Sequence, residues 1–333
     1  MTINRSLGIW TVRLLLAALF LFGSEIILWT DPINHSMLDW FVRGIGYVLL
    51  ATLTLDIAQR YRIRDGFDAM VVLAGSALFY NLLMNPTIGW TMIPDSVLTR
   101  IIGSDALVQL IMWGIFLAWL QGDVRKYHWQ QAVGGIWLGI YWGFWMRWTP
   151  ELRGTFDALP FSQLAIIAGV SFALIALFYL LVTAQTAKMI QADQFMLSPL
   201  EWAFAGMGLI SLFLVQAALG TISAASFLIT LAILAVCWLI LWLRREDDET
   251  SILEKHTPLK MQNPIWIITL IASFAGAFYM AYHLPLITEV GFINQLWLME
   301  IGSAGIGIIW LPIVASVIAT RTIDRFMREG WAF

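Results

Sequence analysis

A single cysteine, Cys237, occurs in 333 residues, and it stands inside an apolar run. That excludes a disulfide framework and a cysteine-ligated metal site. Histidine is almost as scarce, with His35, His128, His256 and His283 only. A membrane haem needs paired histidines inside helices, and only His283 falls in an apolar stretch, so a b-type cytochrome is not expected. No H-E-x-x-H and no zinc spacing occurs. Neither a metal nor a cofactor is expected. The nucleophile motif G-x-S-x-G is absent. The stretch Gly302-Ser303-Ala304-Gly305 could supply a serine with His283 as its base, but small-residue packing is the simpler reading. No lysine lies deep in an apolar stretch, which argues against a retinal Schiff base. There is no G-x-x-x-x-G-K-[ST] loop, so an ATP-driven role would need another chain. Charge is the third scarcity, at 12% of residues with a net value of −3. No basic tract is present, so nucleic acid is not expected as a partner.

What fills the chain instead is apolar: 60% of residues, with a mean hydropathy of +0.78. No soluble domain of this length has that balance. Many stretches exceed the 18 or so apolar residues that cross a hydrocarbon core. Alternating short strands are not seen, which excludes a β-barrel. The expected class is therefore all-α: a polytopic integral membrane protein forming a single transmembrane helical domain over 1–333. The apolar run of the N-terminal segment continues to Trp29 and is read as a retained first span.

Ten spans are predicted, at roughly 8–30, 37–58, 67–85, 97–120, 129–149, 160–187, 199–219, 221–243, 264–286 and 296–320. The distribution of basic residues tests this independently. With the N-terminus cytoplasmic, the inner segments hold Arg5, Arg60, Arg62, Arg64, Arg125, Lys126, Lys188, Arg244, Arg245, Lys255, Lys260, Arg321, Arg325 and Arg328, which is 14 of the 19. The outer connections hold only Arg153, with Arg100 and Arg147 at span ends. The positive-inside rule then places both termini in the cytoplasm. The expected location is a cytoplasmic membrane of the bacterial or archaeal type. Five plus five spans would make two inverted halves, 1–155 and 156–333.

The stretch Trp129–Pro150 organises the rest. Gly135, Gly139 and Gly143 recur every fourth residue and form one stripe on a helix. Trp137, Tyr141 and Trp145 recur at the same interval about 200° away. A glycine stripe lets a neighbouring backbone approach closely in lipid. The aromatic stripe then faces lipid or a cavity. Gly302, Gly305 and Gly307 suggest a similar seam in the tenth span. Ser198-Pro199-Leu200-Glu201 reads as a capping box with proline at the first helical position, and Asn263-Pro264 as the start of the ninth span.

Ionisable residues inside spans are expensive and each needs a reason. Arg13, Asp56, Gln185 and Lys188 lie near inner span ends and can snorkel. Many more lie toward the outer side, including Glu25, Arg43, Asn81, Arg100, Asp105, Gln109, Arg147, His283 and Glu300, which points to a polar vestibule there. Asp105, Gln109 and Trp113 share one helical face. Asp105 either pairs with Arg100 or Arg147 to hold helices or forms a substrate or proton site. Arg147 is an interface anchor or an anion clamp. Glu25 and Arg43 could simply pair with each other. The candidate substrate-binding set is Asp105, Gln109, Arg147, Glu300, Trp113, Trp137, Tyr141 and Trp145, and no catalytic residue is assigned. The leading functional expectation is a transporter or permease for a small solute or amphiphile. The alternatives are a membrane-embedded enzyme acting on a lipid or lipid-linked substrate, or a structural subunit of a complex. Membrane lipids are expected partners, and the loop 244–263 is read as a solvated connector or a docking point for a partner subunit.

Overall fold

The computed structural model describes residues 3–86, 90, 93–121, 124–153, 159–185, 190–244, 250–256, 265–285 and 295–328. Among these the chain is all-helical, with no strands. We number the helices α1 (Ile3–Leu21), α2 (Met37–Arg60), α3 (Gly66–Leu83), α4 (Ala106–Gln121), α5 (Val124–Arg153), α6 (Phe161–Gln185), α7 (Pro199–Ala218), α8 (Ala224–Arg244), α9 (Ile265–His283) and α10 (Gln295–Arg328). Two π-helical segments interrupt this pattern. Phe22–Ile27 continues α1, and Val97–Asp105 leads into α4. Among the described residues seven helices are long and apolar enough to cross a membrane, which suggests an integral membrane protein. Helices occupy all ten segments that the hydropathy singled out. α5 is not among the seven, and the apolar runs of α9 and α10 are shorter than a full span.

Helix ends follow their local chemistry. Ser198 caps α7, its hydroxyl accepting from the Glu201 amide while the Glu201 carboxylate accepts from the Ser198 amide. With Pro199 at the first position, this is the expected capping box. At the other end Gly220 takes φ +69°. Its amide donates to Ala217, and the Thr221 amide donates to Gln216, closing a Schellman turn. Asp65 caps α3 by accepting from the Phe67 and Asp68 amides. The predicted Asn263-Pro264 start lies outside the described residues.

The chain divides into two compact units. Unit 1 comprises Met1–Thr52, Ile111–Phe195 and His256–Ile301; unit 2 comprises Leu53–Leu110, Met196–Lys255 and Gly302–Phe333. In unit 1, α5 packs on α9 along the predicted glycine stripe. A Cβ on Gly135 would run into Ser273, one on Gly139 into the Phe274 and Phe278 backbone, and one on Gly143 into Ala281. The stripe is therefore a packing seam in which dispersion between backbones replaces the missing hydrophobic drive. Beside it Trp142 is fully buried against Phe274 and Phe278, and Phe274 also meets Phe22 and Phe172. These rings join α5, α6 and α9 to the π segment after α1.

Unit 2 is built around α3, which packs against α7, α8 and the Val97–Asp105 segment. Gln216 donates its amide to the Leu83 carbonyl at 3.0 Å, tying α7 to the end of α3. At the opposite end of α3, Arg244 pairs with Asp65 at 3.2 Å and with Asp68. Asp56, fully buried, accepts from Arg60 and from the Leu197 amide. Arg13 and Asp56 were both expected to snorkel. Instead Arg13 is buried with its guanidinium 4.7 Å from the Trp10 ring, and Asp56 is held by these internal partners.

Candidate functional site

Asp105 ends the second π segment and is fully buried. Arg100 lies five residues before it, with Nε 3.6 Å from the carboxylate. On an α-helix five residues is about 140° around the axis, whereas π winding bonds i to i+5 and brings such residues onto one side. The pairing with Arg100 is thus a product of the local winding. Asn81 of α3 adds a 2.7 Å hydrogen bond from Nδ2 to Asp105 and a second to the Ala77 carbonyl. One turn along, Gln109 is also buried, and neither atom of its amide has a partner among the described residues. The Asn81 carbonyl oxygen is likewise unpartnered among them. An unmet buried polar group costs about 1–3 kcal/mol. Unit 2 therefore keeps polar capacity around Asp105 that side chains alone do not use.

The same segment contacts α10 through glycines. A Cβ on Gly103 would meet the Ser303 backbone, and one on Gly307 the Leu98 backbone. The Ser303 hydroxyl is 2.8 Å from that of Ser104, so this serine serves the packing seam. Gly302 and Gly305 meet nothing within 4 Å, so only Gly307 of the predicted α10 stripe is part of a close approach.

The other candidate residues belong to unit 1. Trp137, Tyr141 and Trp145 stack along α5 at 6.2 Å between successive rings, with Trp137 exposed. They form the row that the periodicity predicted. Arg147, half-buried, follows them. Trp113 is buried and packs on Phe116. The Glu300 side chain lies outside the described residues. The loop 244–263 is described only at Arg244 and at 250–256. There Ser251 donates to Gln59, and Gln59 donates to Glu254 at 2.7 Å, so this piece is fastened to unit 2.

Unit 1 also holds a polar centre whose acid–arginine pair was expected but whose extent was not. Glu25 sits on the first π segment and is fully buried. It accepts from Arg43 at 2.6 Å, from the Tyr47 hydroxyl at 3.0 Å and from the Thr30 hydroxyl. His35 lies 3.9 Å away. Burial and the nearby Arg43 lower the His35 pKa below 6.5, and Glu25, Asp39 and Asp31 oppose that shift. Trp29 and Asp31 adopt left-handed backbone, φ 46° and 60°, next to this centre. Non-glycine residues there are strained and persist only where surroundings hold them. Two adjoining apolar cavities of about 390 and 450 Å³ flank α1, sharing Ala18, Leu21, Trp40 and Leu174. A sequence signal for both polar centres exists: Gly23-Ser24-Glu25 and Gly103-Ser104-Asp105 repeat a glycine–serine–acid tripeptide, each within a π segment.

Compared with protein-family models, curated proteins and solved structures, the chain matches none of them.

Proposed function

We propose that the chain is a membrane transporter or permease for a small solute or amphiphile. The observation that carries this reading is the buried Asp105 in a π segment, one turn from the Gln109 amide, which has no partner among the described residues. A charge kept inside a helix apolar enough to span a membrane marks a solute or ion pathway by default. π segments also occur disproportionately at functional sites. In this reading ten helices span the membrane with both termini cytoplasmic, in two inverted halves of five. Asp105 is the charge that couples or selects, and Gln109 and Asn81 supply neutral polar contacts. Within unit 1, Arg147 and the ring row of α5 serve as an anion clamp and an aromatic wall.

The test is electrical. The purified chain in proteoliposomes on a solid-supported membrane is challenged in turn with amino acids, organic anions, sugars and short-chain amphiphiles. One class should give a current, and Asp105→Asn should abolish it without loss of folded protein. Silence toward every class, or an unaltered current in the variant, would sink the proposal. A second reading, an enzyme acting on a lipid or lipid-linked substrate, is favoured by the cavities beside Glu25. It requires mass-spectrometric turnover of a membrane lipid extract that Glu25→Gln removes.

A further inference from the structure

The polar centre of unit 2 contains two buried amides with unmet capacity, on two different helices. Asn81 of α3 donates both of its Nδ2 hydrogens, one to the Ala77 carbonyl and one to the Asp105 carboxylate. The carbonyl and the carboxylate only accept, so the amide cannot turn over and Oδ1 stays an acceptor. That oxygen has no partner among the described residues. Gln109 of α4 follows Asp105 by four residues, the spacing that sets two side chains side by side on one helix face. Both ends of its amide are without a partner among the described residues. Whichever way that amide is turned, it offers N–H donors at one end and an acceptor oxygen at the other. Asn81 and Gln109 are each 1% exposed, so bulk solvent does not meet this demand.

The unmet set is two acceptor oxygens and one donor nitrogen. Its complement is a group with two N–H donors and one acceptor oxygen, and a primary carboxamide carries these in one plane. The carbonyl and one N–H match the Gln109 amide, and the second N–H matches Asn81 Oδ1. Charge argues against an ion. Arg100 and Asp105 stand 3.6 Å apart with opposite signs, so an ion of either sign meets a like charge in that pair. The Arg100 side chain is 17% exposed, which gives the centre an edge at the surface. We propose that the centre formed by Asn81 and Gln109 beside Asp105 binds a small uncharged solute through a primary carboxamide. As a binding site it stands on the geometry of unit 2; as the identity of a transported solute it rests on the transport reading above.

The test uses the full chain in phosphatidylglycerol nanodiscs, with binding read by saturation-transfer NMR against empty discs. Propionamide is the probe. Propionate is its charged isostere, and butanone keeps the carbonyl but has no N–H. Propionamide should bind saturably and at least about tenfold tighter than either. Gln109→Leu keeps the volume and removes the amide. It should weaken propionamide by at least about tenfold and melt no lower than wild type, because an apolar side chain relieves the unmet group. Propionate or butanone binding as tightly as propionamide would overturn the proposal. So would the absence of saturable propionamide binding, which assigns the capacity to water alone, and so would wild-type affinity in folded Gln109→Leu. The ligand panel on the wild-type chain decides by itself should the variant not fold. Failure here is separable from failure of the transport reading. No propionamide binding together with a current that Asp105→Asn abolishes removes the carboxamide and leaves the transporter. Saturable propionamide binding with electrical silence keeps the carboxamide site and removes the transporter.

Discussion

Each of the two units holds a buried carboxylate on a π segment preceded by glycine and serine, and each neutralises it differently. In unit 1 the partner comes from another helix: Arg43 of α2 reaches Glu25 at 2.6 Å, with Tyr47 and Thr30 adding hydrogen bonds. In unit 2 a partner comes from the same segment, since π winding lays Arg100 beside Asp105, and α3 contributes the neutral Asn81. The first arrangement makes the ion pair a tie between elements. The second pairs the charge within its own segment, and its inter-helix contacts include an amide and the Gly103 and Gly307 approaches. The same tripeptide can therefore present its acid to a cation from another helix in one place and to a cation from its own segment in another.

That contrast breaks if the two acids behave alike. Glu25→Ala removes the buried carboxylate that the half-buried Arg43 meets at 2.6 Å and should cost about 3–5 kcal/mol. In a double-mutant cycle with Arg43→Ala, measured by reversible unfolding in mixed micelles, the coupling should exceed that of Asp105 with Arg100. Equal couplings would end the distinction. Next in size is the seam of unit 1. Gly139→Leu must displace the Phe274 backbone and should cost about 3 kcal/mol or more, whereas Gly134→Leu, with nothing within 4 Å, should stay near wild type. A thermal scan that ranks these two the other way would show that the seam is not where α5 is held. Asp105→Asn retains the shape and removes the charge, so its stability loss should be smaller, about 1–2 kcal/mol. A loss as large as that of Glu25→Ala would show that Asp105 ties helices as firmly as Glu25.

The smallest effect concerns His35. Its folded pKa lies below 6.5, so the unfolded chain binds the proton first as pH falls. The neutral form stabilises the fold above that value, and the contribution is lost as pH drops from about 6.5 through the lowered folded pKa. Melting temperature should therefore decline less between pH 7 and 5 in His35→Gln than in wild type. A steeper decline in the variant would reverse the sign of the argument and place His35 closer to Glu25 than to Arg43 in electrostatic terms.

The particular residues show which features were legible in advance. The all-helical class, the glycine seam of α5, the opposing row of Trp137, Tyr141 and Trp145, the Ser198–Glu201 box and the Glu25–Arg43 pair were readable because each is local or periodic. Hydropathy, a four-residue repeat and a capping pattern need only the geometry of one helix. Arg13 and Asp56 were misjudged as snorkelling because sequence position gives depth along a helix but not what surrounds it. Gln109 was legible as sharing the Asp105 face, while the lack of a partner for its amide among the described residues was not, since partners come from other elements.

By itself, then, the sequence determined the all-helical class, the apolar segments and the spacing that puts small and large residues on opposite faces. These follow from the energy of burying apolar surface and from the fixed pitch of a helix. Tertiary structure alone decided that both Gly-Ser-acid tripeptides wind as π segments, that Tyr47 reaches Glu25 and Asn81 reaches Asp105, and that two apolar cavities flank α1. Those outcomes depend on which backbones come close enough to satisfy a buried charge, and that depends on residues far apart in the chain.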